Sequence, residues 1–293
     1  MDVLQIARFL DLQSLWILSP ATGMFYKVAG SRPTPQGPCS YARHVPGFHT
    51  ELVYEDLLHN TLQGHGGDAC CSCVKDLLVR RSLPGHDWED SLRLLALDFR
   101  RWCKQHQVTH VSGLFTLGTL GLTTLSAYPV LHSRVKAAHC RLLISFIAQK
   151  AVELDSGDEH SRYRTACLWS LARFFSILES SGRWLTQGQR DAVLRAAVVY
   201  LHSYQWLAAS ALERRECLWM VRPKLHYFCH LVARMSSSFL NPRKCQTLID
   251  ETFVGVIARI ARQTSSQTTS LRALQRWTLY IAVQWHACAQ KFM

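Results

Sequence analysis

From Trp88 to the C-terminus, apolar residues recur three and four places apart, and this periodicity restricts most of the chain to helices. Trp88, Leu92, Leu95, Phe99 and Trp102 set the pattern. It returns over 133–154, stops before the turn Asp155-Ser-Gly-Asp158, and resumes over 160–179 in Leu, Trp and Phe. Thr186-Gln-Gly-Gln189 has capping-box spacing. It opens a long helix expected to reach about Trp219, with Val193, Ala196, Ala197, Tyr200, Tyr204 and Leu207 on one face. Pro223 suits the first position of the next helix, which should run to about Met235. Helices near 246–263 and 270–290 close the chain. No strand pattern follows Asp56.

The text before Trp88 is different. Residues 2–13 read as a short helix, and the apolar runs 15–18 and 25–28 as a small hairpin. Residues 30–47 hold four prolines and three glycines, a loop. An extended run from His49 ends in Glu55 and Asp56, and a helix follows from about Leu57 to Arg81, with Gly64, Gly66 and Gly67 as weak points. The expected fold class is mainly α: a large multi-helix body with a small, incomplete α/β portion near the N-terminus. Three segments follow: 1–86, a helical 87–221, and a basic helical 222–293.

With 293 residues, 48% hydrophobic and 18% charged, the chain can bury a large core. Its 11 cysteines lack framework spacing, which fits a reducing compartment and buried thiols. The N-terminus lacks the basic, apolar, small-residue order of a signal peptide. Residues 111–133 carry no charge, but their glycines, threonines, serines and Pro129 argue for a buried or loop-rich connector rather than a membrane span. The net charge of +12 is concentrated late: residues 222–293 hold ten Lys and Arg against two acids. That favours a polyanion, DNA first, as partner; a solvated basic face with no specific partner is the plainer alternative.

Four clusters could carry chemistry. Asp56 ends an extended run, and His59 follows one helical turn on. A carboxylate and an imidazole on one face can ligate a metal, although Asp at that place also simply caps a helix. His226 and His230, in RPKLHYFCH, stand four apart, a spacing that can bind zinc or leave two ordinary hydrogen-bonded histidines. Tyr227 stands where zinc proteases carry Glu, so a protease is excluded. Asp250 and Glu251 sit alone in the most basic part of the chain, as charge balance or as metal-site carboxylates. Cys70-Cys71-Ser72-Cys73 has no matching downstream pair and reads as buried cysteines. Phosphate-loop, dinucleotide and nucleophile-elbow motifs are absent.

Taken in order, YEDLLHNTLQG, PKLHYFCHL and IDETFVG resemble the transposases of CACTA-like and KDZ-like DNA elements. The first looks like their strand-end Asp-x-x-His, the second like the segment after their helical insertion, and the third like the helix bearing the final Glu. The resemblance implies an RNase H-like D-D-E domain interrupted by helices. Asp56 would be the second Asp and Glu251 the final Glu, with Asp250 as the competing acid. They would hold Mg²⁺ or Mn²⁺ for in-line phosphoryl transfer, with His59, His226 and His230 as further motif residues or ligands. The resemblance covers roughly residues 45–265.

The first Asp of the triad has no counterpart on a strand, since only Asp2 and Asp11 precede Glu51. The chain is therefore expected to be a transposon-derived protein without strand-transfer activity. It should bind DNA through Arg222, Lys224, Arg234, Arg243, Lys244, Arg259, Arg262, Arg272 and Arg276, act in the nucleus, and use no small-molecule cofactor and no membrane. Two alternatives stand beside it: a helical protein-interaction module, whose late cations would be dispersed over several faces, and an active divalent-metal-dependent nuclease.

Overall fold

The computed structural model describes the backbone of residues 16–18, 25–27, 55–245, 248–265 and 267–289, and the side chains of 55–245, 255–265 and 267–283. These residues are mainly helical. A π-wound segment, Leu58–His65, leads into α1, Gly66–Val79. Then come α2 (Trp88–Gln105), α3 (Ala137–Glu153), α4 (Glu159–Ser180), α5 (Gln187–Glu213) and α6 (Pro223–Ser237). A 3₁₀ turn, Pro242–Cys245, precedes α7 (Leu248–Arg262) and α8 (Thr269–Ala289). Strands β1 (Trp16–Leu18) and β2 (Phe25–Lys27) pair antiparallel, Trp16 opposite Lys27, as the apolar runs suggested. They form the only sheet among the described residues; the extended run 49–54 lies outside them.

The helix starts follow from local chemistry. Asp87 and Asp158 accept hydrogen bonds from the amides of Asp90 and Ser161, and Thr186 and Gln189 close the expected capping box. Pro223 opens α6. The ends were harder to read. Arg81, Gln107 and Arg215 take left-handed φ of 51°, 53° and 57°. Each is followed by a six-to-one closure: Ser82 N to Leu77 O, Val108 N to Cys103 O, and Glu216 N to Ala211 O. This is the Schellman geometry, usually marked by glycine. Without that marker α5 reads as running to Trp219, whereas it ends at Glu213.

The chain divides into two compact units, residues 1–245 and 246–293. In the first, α4 and α5 form the most extensive helix pair, α3 lies along α4, and α1 packs against α3. Every residue of α1 from Gly66 to Leu78 is buried, as expected of a central helix. Phe99, Trp102, Phe115 and Phe146 form an aromatic cluster uniting α2, α3 and the connector. The uncharged connector 111–133 is a series of turns that buries Leu114, Phe115, Leu120 and Leu122. It is pinned by the Lys75 ammonium, which donates to the carbonyls of Leu125 (2.9 Å), Ala127 (2.7 Å) and, at longer range, Thr124 and Cys217. Among the described residues no helix is long and apolar enough to cross a membrane. In the second unit, α7 and α8 pack as a helical hairpin.

Candidate functional site

Asp56 performs the capping role and the histidine-positioning role at once. Its Oδ1 accepts the Leu58 amide at 3.0 Å, and its Oδ2 is hydrogen-bonded to His59 Nδ1. The Asn60 amide returns to the Asp56 carbonyl, so the turn is fixed at both ends. Asp56 is largely covered, at 18% exposure, while His59 reaches solvent at 45%.

The helix α6 lies beside this segment, in antiparallel register. Lys224 Nζ donates to Gln63 O at 2.7 Å, Arg222 Nε stands 3.3 Å from Asp68 Oδ2, and Arg234 Nε stands 3.7 Å from Glu55 Oε2. Gly64 makes the approach possible: a Cβ there would lie 2.7 Å from Lys224 Cδ and 2.9 Å from His59 O. Phe228 packs on His65, 4.7 Å between ring centroids, and His65 Nδ1 meets the Tyr200 hydroxyl at 2.6 Å. The sequence segments carrying Asp56–His59 and His226–His230 are thus neighbours in space although some 165 residues separate them.

Electrostatics under this seam are unusual. Burial, aided by the Lys224 charge, lowers the His65 pKa to about 3. Burial pushes Asp68 up to about 6, against the pull of Arg222 and Lys224. Deeper in the body, Asp76 accepts from His160 Nε2 (3.0 Å), Arg164 Nη1 (2.8 Å) and Arg80 Nε (2.7 Å). Burial alone would raise the Asp76 pKa, but these donors carry it down to about 2. His65, Asp68, Lys75, Asp76, His160 and Arg164 all escaped the sequence reading. The available signal was four polar residues, Asp68, Ser72, Lys75 and Asp76, inside an otherwise apolar helix; buried, each must find a partner.

On α6 itself, the Nε2 atoms of His226 and His230 are 2.9 Å apart, with ring planes at 83°. Burial, then the neighbouring His230 charge, lowers the His226 pKa. His226 Nδ1 is buried without a hydrogen-bond partner. The cysteines of the Cys70–Cys73 cluster are buried free thiols. Burial raises all three pKa values, Cys73 to about 12, so they are unreactive core residues.

Asp250 and Glu251 lie on α7, with their side chains outside the described residues. Among the described residues no three His, Cys, Asp or Glu side chains gather as metal ligands. Each carboxylate oxygen of Asp56 holds a hydrogen bond, which engages one of its two lone pairs.

The nine candidate DNA-contacting cations fall into three groups. Arg222, Lys224 and Arg234 face acids or a carbonyl within the first unit. Arg243 and Lys244 are exposed on the 3₁₀ turn. In the second unit, Arg259, Arg262, Arg272 and Arg276 are exposed and all lie within about two turns of the α7–α8 connection. Arg276 Nη1 reaches Gln263 O at 3.4 Å, which sets it beside the end of α7. No protein-family model, no curated protein and no solved structure matches the chain.

Proposed function

We propose that this chain is a transposon-derived DNA-binding protein, acting in the nucleus without strand-transfer activity. The observation that carries the reading is the clustering of four exposed arginines at the α7–α8 connection. A module without nucleic-acid function was expected to disperse all the late cations over several faces; Arg222, Lys224 and Arg234 on the seam and Arg243 and Lys244 on the 3₁₀ turn follow that expectation, and the four arginines at the connection do not. The ancestry draws support from the antiparallel packing of α6 on the Asp56–His65 segment, because the resemblance requires the motifs on either side of the helical body to adjoin. The RNase H-like domain belongs to that ancestry. No catalytic step is assigned, because the first Asp of the triad has no counterpart on a strand in the sequence.

The test is fluorescence anisotropy of the full chain with duplex DNA across a salt series. Affinity should fall steeply with salt, and substituting the four arginines should weaken it for every sequence alike. Salt-independent binding, or none, would sink the reading. Mn²⁺-dependent nicking lost in both Asp56→Ala and Glu251→Ala would replace it with the nuclease.

One observation favours the interaction-module reading. A cleft of about 740 Å³ is lined by Trp102, Val152, Trp169 and Arg173, and Trp169 is 55% exposed. An exposed tryptophan over an apolar groove is the residue type that anchors protein contacts. Retained DNA binding in Trp169→Ala would separate that surface from the arginines.

A further inference from the structure

The pair His226–His230 is used by neither reading above. The two rings stand one helical turn apart on α6, with their Nε2 atoms 2.9 Å apart and their centroids only 4.4 Å apart, so the rings are inclined to the line between the nitrogens. The nitrogen separation fits one shared proton. It also fits one cation held to the side of the line between the nitrogens, and the separation as it stands matches one coordination geometry better than another. At metal–nitrogen bonds of about 2.0–2.1 Å, nitrogens 2.9 Å apart subtend about 90° at the ion. A tetrahedral ion with the same bonds needs about 3.3 Å. Right-angled geometry belongs to tetragonal or octahedral ions, and imidazole is a preferred ligand for them.

We infer that His226 and His230 form a two-nitrogen chelate for a divalent first-row transition metal that favours 90° angles, Ni²⁺ or Cu²⁺, rather than for tetrahedral Zn²⁺. The ion takes the place of the hydrogen between the two Nε2 atoms: from a protonated pair that proton passes to solvent, and from a neutral pair it moves to Nδ1 of the ring that held it, so each ring binds the ion as a neutral imidazole. His226 has nothing to lose at its other nitrogen, since Nδ1 is buried without a hydrogen-bond partner in either arrangement. The helix supplies the preorganisation: both side chains rise from a turn anchored by buried Leu225, Phe228, Cys229 and Leu231. No third protein ligand joins them among the described residues, so the remaining positions fall to water. The chelate uses neither the four arginines of the α7–α8 connection nor Asp56 and Glu251.

Ni²⁺ titrated into the full chain in a non-coordinating buffer tests this by calorimetry. The tightest site should hold one equivalent and weaken at least about tenfold in His226→Gln and in His230→Gln, the scale on which metal affinity responds to lost ligand support. His86→Gln, at an exposed histidine elsewhere, should leave it unchanged. Isotherms of His226→Gln and His230→Gln that superimpose on the parent would overturn the site. X-ray absorption of the Ni²⁺-loaded parent chain needs no variant: two imidazole ligands support the proposal, and fewer than two refute it. Tighter binding of Zn²⁺ than of Ni²⁺ would refute the right-angled geometry.

Discussion

His65 and Asp68 sit three residues apart with opposite pH dependences. The folded pKa of His65, about 3, lies below its unfolded value near 6.5. The unfolded chain therefore binds the proton better, and His65 removes stability as pH falls from about 6.5 toward 3. Asp68, at about 6, lies above its unfolded value near 3.8. The folded chain binds that proton better, so Asp68 adds stability as pH falls over about 6 to 4. The two effects oppose between about pH 4 and 6. In Asp68→Asn the His65 dependence should stand alone, steepening the acid decline by up to about 1.4 kcal/mol per pH unit. Urea midpoints at successive pH values would read it, and parallel curves for variant and parent would show that the two groups are not opposed. Asp76 is a separate case. Its folded pKa of about 2 lies below the unfolded value, so its contribution is complete above about pH 4 and fades toward pH 2. Asp76→Asn leaves Arg164 buried without its carboxylate and should cost about 3–5 kcal/mol. A loss under about 1 kcal/mol in equilibrium unfolding would mean that His160 and Arg164 find other partners.

At the scale of elements, the decisive contact is the seam between Leu58–His65 and α6. Gly64→Ala should distort the π-wound turn itself, because the His59 carbonyl of the same segment cannot move aside as the Lys224 side chain of α6 can. The expected loss is about 1–3 kcal/mol, typical of overpacking. Lys224→Ala added to Gly64→Ala should recover only part of it, and full recovery would assign the whole clash to Lys224. The α5 cap is simpler: Thr186→Ala should cost about 1 kcal/mol in thermal or urea unfolding, and no change would mean that the capping box is frayed in solution. Most of these elements were legible in the sequence. Apolar spacing, Asp or Thr caps and Pro223 are local signals, and helices obey local rules. Illegible were the closures at Arg81, Gln107 and Arg215, exposed residues that take a left-handed turn without the glycine that usually marks it. The hairpin of β1 and β2 was read from its two apolar runs, whereas the break at Gln63–Gly64 was only hinted at by glycine.

For the whole molecule, charge distribution decides what the protein can meet. Nine cations were candidates for DNA, but Arg222, Lys224 and Arg234 balance the seam. Each of Arg259, Arg262, Arg272 and Arg276 that contacts a phosphate should lower the slope of log affinity against log salt by about 0.9 when replaced by Ala. Arg222→Ala should instead lower stability, by leaving Asp68 buried without its cation, and should leave the slope unchanged. A slope that drops with Arg222→Ala and stays constant with the other four would reverse the assignment.

The order of motifs, the helical class, the basic last quarter and the burial of most of the described cysteines were legible in the sequence alone, because each depends on residue type and local spacing. The tertiary structure decided which of the charged residues were already in use. Asp56 became a cap bound to His59, three arginine and lysine candidates gained partners within the fold, and a buried carboxylate at Asp76 emerged with two donors from α4 and a third, Arg80, from the end of its own helix. A side chain's partners across the fold are set by how helices pack, and helix periodicity carries no record of that packing.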